Sequence, residues 1–297
     1  MTVRTIGWEV EPRLDWIAVS DAIAAGHALP RAVSEDGFLR RGGDTILNRA
    51  AWIDGLGALV KTATVFPGNA RAPTINGAAT LFDDGDGTLA AIVDFHLLTK
   101  WKTAADSLLA ARRLAPAGVG EILIVGAGTV ARSLRAAYGA AFPEARFRVW
   151  NRSPGRAEAL AGEWDGTEAA PDLQAAVGRA DIVACATMST EPVLRGDWLR
   201  PGQHVDLIGA YRADMREADD AALARARVFV DSRPSVAHIG EIADPVARGV
   251  IAEGDVVADF YELDRFERGD AEITLFKNGG GAHLDLMVAA AMLKAAG

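Results

Sequence analysis

The chain has 297 residues, half of them hydrophobic, a formal net charge of −9 and a single cysteine. That is enough apolar material for one large or two ordinary domains, and the acidic balance without a long basic run argues against a nucleic-acid or anionic-membrane partner. Cys185 alone excludes an internal disulfide and fits a reducing, cytoplasmic compartment; no signal peptide is read at the N-terminus, and no apolar segment is long enough to span a bilayer.

Trp16, Val19, Ile23 and Leu29 fall on one face of a helix predicted over 15–29. Residues 58–66 and 72–82 read as strands, and Asp83-Asp84-Gly85-Asp86-Gly87 turns the chain into another strand over 88–94. Acids interleaved with glycine also fit a calcium loop. This run is short, flanked by strand patterns and followed by no glutamate at the required place, so the hairpin reading prevails. A helix over 97–114 ends at Pro116 and Gly118.

From Glu121 the pattern changes. Ile122-Leu123-Ile124-Val125 is continuously apolar, as a strand buried on both faces requires. A glycine turn, a helix over 129–142 and a strand over 146–150 follow. Residues 181–186, 204–208 and 228–230 read as further strands separated by helical stretches, so the order predicts an α/β fold with a doubly wound parallel sheet. The chain closes with a strand over 273–276, the cluster Gly279-Gly280-Gly281 and a helix over 282–295.

Gly126-Ala127-Gly128-Thr129-Val130-Ala131 joins the apolar strand to the next helix. Gly126 makes the tight turn, Gly128 admits a pyrophosphate close to the backbone, and Ala131 keeps helix and strand close. The helix start at Thr129 and Val130 offers unpaired N–H groups to the phosphates, which makes this a Rossmann dinucleotide motif. The second strand ends in Asn151-Arg152-Ser153, where an NAD-selective site carries a carboxylate. A guanidinium and a hydroxyl suit a 2′-phosphate instead, so NADP(H) is the expected cofactor and NAD(H) the alternative.

With these residues identified, the chain resembles the ornithine cyclodeaminase/mu-crystallin family from about residue 59 to the C-terminal helix. The likeness is carried in order by Lys61-Thr62-Ala63-Thr64-Val65-Phe66, Leu98-Thr99-Lys100-Trp101-Lys102-Thr103-Ala104-Ala105 and the glycine motif. It continues with Trp150-Asn151-Arg152-Ser153, Thr190-Glu191-Pro192-Val193-Leu194, the run from Gly209 to Glu217, and Thr274-Leu275-Phe276-Lys277-Asn278. The resemblance implies a Rossmann domain over 116–275, inserted into an α+β substrate-binding and dimerisation domain of residues 1–115 and 276–297. It also implies a homodimer and hydride transfer between nicotinamide and the α-carbon of an amino or imino acid.

Departures from the pattern choose among members. Cyclodeaminases carry an aspartate where this chain has Tyr211, and an acid beside Met-Pro in the strand that here reads Ile46-Leu47-Asn48-Arg49-Ala50; both are missing. The resemblance therefore implies a ketimine reductase acting on a small cyclic imino acid, with Δ1-pyrroline-2-carboxylate to L-proline the specific expectation. Ornithine cyclodeaminase, alanine dehydrogenase and a non-catalytic crystallin-type binding protein are the alternatives. Lys61 is the expected substrate-side charge, either binding the carboxylate or donating a proton from a depressed pKa. From spacing alone it reads as a solvated strand lysine. One of Arg40, Arg41 and Arg49 is expected to clamp the substrate carboxylate, Arg49 being preferred. Lys102 replaces the family's arginine, keeping its charge and losing its fork. Lys102 and Asp285 join the catalytic set, while Thr103, Thr187, Met188 and Lys277 join the cofactor set. His27, His96, His204, His238 and His283 show no metal-ligand spacing, so no metal is expected. Cys185, in an apolar strand, reads as an inert core thiol.

Overall fold

The structure is a computed structural model that describes residues 3–297. It forms two compact units, one of residues up to Ala105 together with Gly281–Gly297, the other Asp106–Gly280. The divisions thus fall at 105/106 and 280/281, where the sequence placed domain edges at 115/116 and 275/276.

The first unit begins with β1 (Arg4–Ile6) and α1 (Trp16–His27), whose N-terminus is capped by the Asp15 carboxylate accepting from the Ala18 N–H. There follow β2 (Val33–Arg41), β3 (Asp44–Ile53), β4 (Gly57–Val65), β5 (Ile75–Phe82) and β6 (Leu89–Asp94). Asp94 then accepts from Leu97 N at 2.8 Å, so α2 (Phe95–Leu114) starts directly at the strand end, two residues before its predicted start. The strands form one sheet in the order β1-β6-β5-β4-β3-β2, antiparallel except for the β1–β6 pair. The acidic turn is a hairpin: Asp83 Oδ1 accepts from Gly85 N, and Asp86 Oδ1 from Thr88 N.

One sheet face carries Ala51, Ile53, Leu59, Ala63, Ala79, Leu81, Ala91 and Val93, all buried, and α9 (Ala282–Ala296) packs against β3 and β4. The alternation of strand residues puts Val33, Leu39, Trp52 and Ile92 on the other face, where they are 76%, 65%, 54% and 37% exposed.

The second unit contains β7 (Glu121–Val125), α3 (Thr129–Ala141), β8 (Arg146–Trp150), α4 (Pro154–Ala161), β9 (Thr167–Ala169), α5 (Leu173–Arg179), β10 (Ile182–Cys185), β11 (His204–Leu207), α6 (Asp220–Arg225), β12 (Arg227–Val230), α7 (Arg233–Val236), α8 (Gly240–Ala247), β13 (Val256–Ala258) and β14 (Thr274–Lys277). All eight strands are parallel, in the order β13-β12-β14-β11-β10-β7-β8-β9. The chain builds outward from β7 through β8 to β9, then returns to β10 on the other side of β7. That reversal creates a crevice at the carboxyl ends of β7 and β10, where open α/β sheets bind ligands. β7, β10 and β11 are buried throughout, and in β7 and β10 that burial is legible as an apolar run.

Candidate active site

The glycine motif lies at this reversal. Gly126 follows β7 with φ +121°, and a Cβ there would stand 2.6 Å from the Ala186 carbonyl oxygen. Only glycine fits both restrictions. Nothing lies within 4 Å of the Cβ direction of Gly128, which caps α3 without a side-chain bond. The N–H groups at the start of α3, beginning with the exposed Thr129, therefore face open space ready for an anion. At the end of β8, Asn151 Nδ2 donates to the Ser153 carbonyl at 3.1 Å, and Arg152 and Ser153 are exposed. Val130 and Thr187 are half-buried and Met188 is 73% exposed, the last two directly after β10.

Lys277, expected against the cofactor, lies in β14 of the same sheet. It is fully buried, and its Nζ donates to the Leu207 carbonyl at 3.0 Å. Its ammonium stabilises the ionised forms of Glu217 and Asp206, both fully buried. Burial is the main cause pushing Glu217 up to about 8 and Asp206 up to about 7. Sequence reasoning did not assign a role to either acid.

In the first unit, the catalytic candidates gather on the buried side of the sheet. Lys61 is 7% exposed, and its Nζ donates to Asp285 Oδ1 and to Thr99 Oγ1, both at 2.9 Å. The ammonium also lies 4.7 Å from the centre of the Phe95 ring. Burial lowers the Lys61 pKa; the Asp285 carboxylate opposes this, and Lys102 and Arg49 add to the lowering. Burial works to raise Asp285, but Lys61 and Lys102 outweigh it and leave the carboxyl below its ordinary value. Lys102 is 8% exposed, and Thr103, next on α2, is half-buried.

Of the three arginines, Arg49 stands opposite Lys61 in the β3–β4 register and therefore on the same sheet face. Its guanidinium is paired with Asp36, Nε donating at 3.0 and 3.1 Å to the two carboxylate oxygens. Arg40 and Arg41 lie at the far end of the hairpin, opposite Thr45 and Asp44, and are exposed. His283, one of the five histidines without metal-ligand spacing, also lies in this unit. It is buried in this neighbourhood, edge-on to His27 at 5.4 Å, and burial drives its pKa down to about 3.

A glycine turn at the reversal of an all-parallel sheet, opening onto an uncapped helix start, defines a Rossmann-type dinucleotide-binding protein. The profile of the ornithine cyclodeaminase/mu-crystallin family matches residues 53–295, and the chain belongs to that family. It is 53% identical over 289 residues to the Δ1-pyrroline-2-carboxylate reductase of Paracoccus denitrificans, a span of 93% of this chain and 92% of that protein. It is 34% identical over 234 residues to the ketimine reductase mu-crystallin of Mus musculus, covering 77% of this chain and 73% of the relative. The structure of an archaeal alanine dehydrogenase dimer with bound NAD superposes with a TM-score of 0.90 at 26% identity, covering 100% of this chain and 96% of that one.

Proposed function

We infer that the protein is an NAD(P)H-dependent oxidoreductase that reduces the C=N bond of a small cyclic imino acid, Δ1-pyrroline-2-carboxylate to L-proline. The observation that carries this reading is the buried Lys61–Asp285 pair with Lys102 and Arg49 in its electrostatic neighbourhood. Three cations share this region with the carboxylates of Asp285 and Asp36. That balance leaves positive charge for a substrate carboxylate. Lys61 is suited to proton donation, because burial has already lowered its hold on the proton while Asp285 keeps it in place. Family membership and the identity to a pyrroline-2-carboxylate reductase support the same reaction.

The second unit takes the cofactor. Gly126, Gly128, Thr129 and Val130 form the pyrophosphate turn, and Asn151, Arg152 and Ser153 the ribose end. When bound, the reduced nicotinamide supplies a hydride to the imine carbon. The imine nitrogen takes a proton, for which Lys61 is the assigned donor. NADP(H) is the preferred form, because Arg152 and Ser153 stand exposed where NAD selection calls for a carboxylate. The protein is a homodimer joined through the sheet face of Val33, Leu39, Trp52 and Ile92. Four exposed large apolar side chains on one face suit a second copy, and a structural relative is a dimer. The lone buried Cys185 fits a cytoplasmic site of action. No helix among the described residues is long and apolar enough to cross a membrane.

The test mixes purified protein with enzymatically generated pyrroline-2-carboxylate and either NADPH or NADH, and follows cofactor absorbance and L-proline. Cofactor oxidation with one proline per hydride is expected, faster with NADPH. No oxidation across pH and imine ring sizes would overturn the reading. Ammonia released from ornithine without net cofactor reduction would replace it with a cyclodeaminase.

A further inference from the structure

We propose that Glu217 is a positioning residue, whose single carboxylate holds the loop after β10 and the loop after β11 in register to form the nicotinamide-side rim of the cofactor site. The proposal rests on the dinucleotide reading given above. Glu217 Oε1 accepts from Thr187 N at 2.6 Å and from Thr187 Oγ1 at 2.9 Å; Oε2 accepts from Gly209 N at 2.5 Å. Thr187 is the second residue after β10, and Gly209 the second after β11. One side chain thus ties together two loops at the carboxyl edge of the sheet, beside the reversal where Gly126 also lies.

The spacing of these loops has no slack. A Cβ on Gly209 would lie 1.7 Å from the Thr187 carbonyl oxygen and 2.5 Å from its nitrogen. Glu217 itself is fixed from both sides. Its N–H donates to Glu241 Oε2 at 2.7 Å, and its carbonyl accepts from Val193 N and Leu194 N, each at 2.9 Å. Glu241 Oε1 also accepts from Ala218 N at 3.0 Å. Two fully buried acids in series, with the buried Lys277 ammonium nearby, are an expensive way to fill space. What a carboxylate supplies and an apolar or amide side chain does not is a pair of acceptors facing two N–H groups at once. The exposed side chains of Met188 and Tyr211 follow these anchors one and two residues on.

The decisive variant is Glu217→Gln. An amide keeps one acceptor and turns an N–H₂ toward the backbone N–H of the other loop, so one of the two ties is broken while volume is preserved. At pH 9, where Glu217 is ionised, NADPH binding, followed by its fluorescence, is expected to weaken about tenfold, equivalent to about 1.4 kcal/mol. Binding of 2′-phospho-ADP-ribose, which lacks the nicotinamide, is expected to stay within about twofold of wild type, because its contacts lie at Gly126–Thr129 and Asn151–Ser153. In turnover, kcat is expected to fall with little change in KM for the imino acid. If both ligands weaken together, or neither does, the proposal is overturned. Wild-type protein that binds neither ligand would instead remove the dinucleotide reading, and the proposal with it. Should Glu217→Gln not fold, Thr187→Val, which deletes one of the three bonds, is expected to give the same ordering of the two ligands at smaller size. Equal effects on both ligands there would overturn the proposal as well.

Discussion

Removing the negative member of the buried pair in the first unit, by Asp285→Asn, should be among the most destabilising single changes in that unit. Lys61 and Asp285 are 2.9 Å apart, with side chains 8% and 2% exposed. At an effective dielectric of about 20, two unit charges at that distance attract by roughly 6 kcal/mol. Both ions have given up water, so the attraction mainly offsets desolvation, and the measured consequence lies in what remains when one is removed. An uncompensated buried ammonium costs about 3–5 kcal/mol, unless Lys61 escapes by losing its proton. That escape is favoured because burial already lowers its pKa and Lys102 and Arg49 lower it further, and the neutral amide removes the carboxylate that opposed them. Urea unfolding should therefore show a loss of about 3 kcal/mol or more at pH 6, shrinking as the pH rises and the lysine becomes neutral. The double variant Lys61→Met/Asp285→Leu should recover most of that stability, because neither charge is left buried. A single variant that costs less than about 1 kcal/mol, or a double variant no more stable than the single, would refute the reasoning.

Three further outcomes follow from particular side chains. Arg152→Ala should weaken NADPH about tenfold or more and leave NADH nearly unchanged, as the loss of charge-assisted bonds to one phosphate requires; paired binding titrations check this. Trp52→Glu places a charge on the exposed apolar sheet face and should convert the proposed dimer to monomer in sedimentation, with each monomer still folded. Stability should pass through a broad maximum near pH 4.5–6.5 and decline on both sides. Below it, His204 and His283, held neutral with values near 3, forgo protons that the unfolded chain binds below its ordinary 6.5, so acid removes stability. Above it, Glu217 and Asp206 keep protons up to about 8 and 7 that the unfolded chain has released, so stability falls by about 1.4 kcal/mol per pH unit for each. Denaturant midpoints from pH 3.5 to 8.5 measure it, and a steady rise from pH 6.5 to 8 would contradict the assignment.

The second unit was the more legible in sequence, for a physical reason. A parallel strand covered on both faces is apolar along most of its length, and 122–125 of β7 and Ile182–Cys185 of β10 satisfy this with no alternation to interpret. The hairpin of β2 and β3 went unread because all nine residues of β2 are exposed, so no buried face imposes a period of two on Ser34-Glu35-Asp36-Gly37. β1, β9 and β13 are three-residue strands, all of them at sheet edges, too short for any pattern to register. Lys61 was visible only through its motif, since its anion is 224 residues away. Glu217 and Asp206 look like surface acids in the sequence because their partners come from other loops and helices: Thr187 and Gly209 for one, Tyr138 and Ser107 for the other.

Where the sequence was hardest to read, the structure holds charges that packing alone does not explain. The inner face of the first unit's sheet is otherwise filled by alanine, leucine, isoleucine and valine, and Lys61 has Ala63 two residues on and Ala79 across the register. An apolar side chain in its place would pack against these neighbours without losing hydration. Lys61, Lys102 and Asp285 are nevertheless all buried there, with cations outnumbering the anion. An arrangement that does not minimise its own free energy, and that is short of one negative charge, is what a site for a carboxylate-bearing substrate requires. The same reasoning separates the two groups of buried acids. Asp285 balances the Lys61 ammonium, proposed above as the proton donor, whereas Glu217 and Glu241 accept from backbone N–H groups. Replacing Asp285 should therefore alter the proton chemistry of Lys61, and replacing Glu217 should alter where the cofactor's reactive end lies.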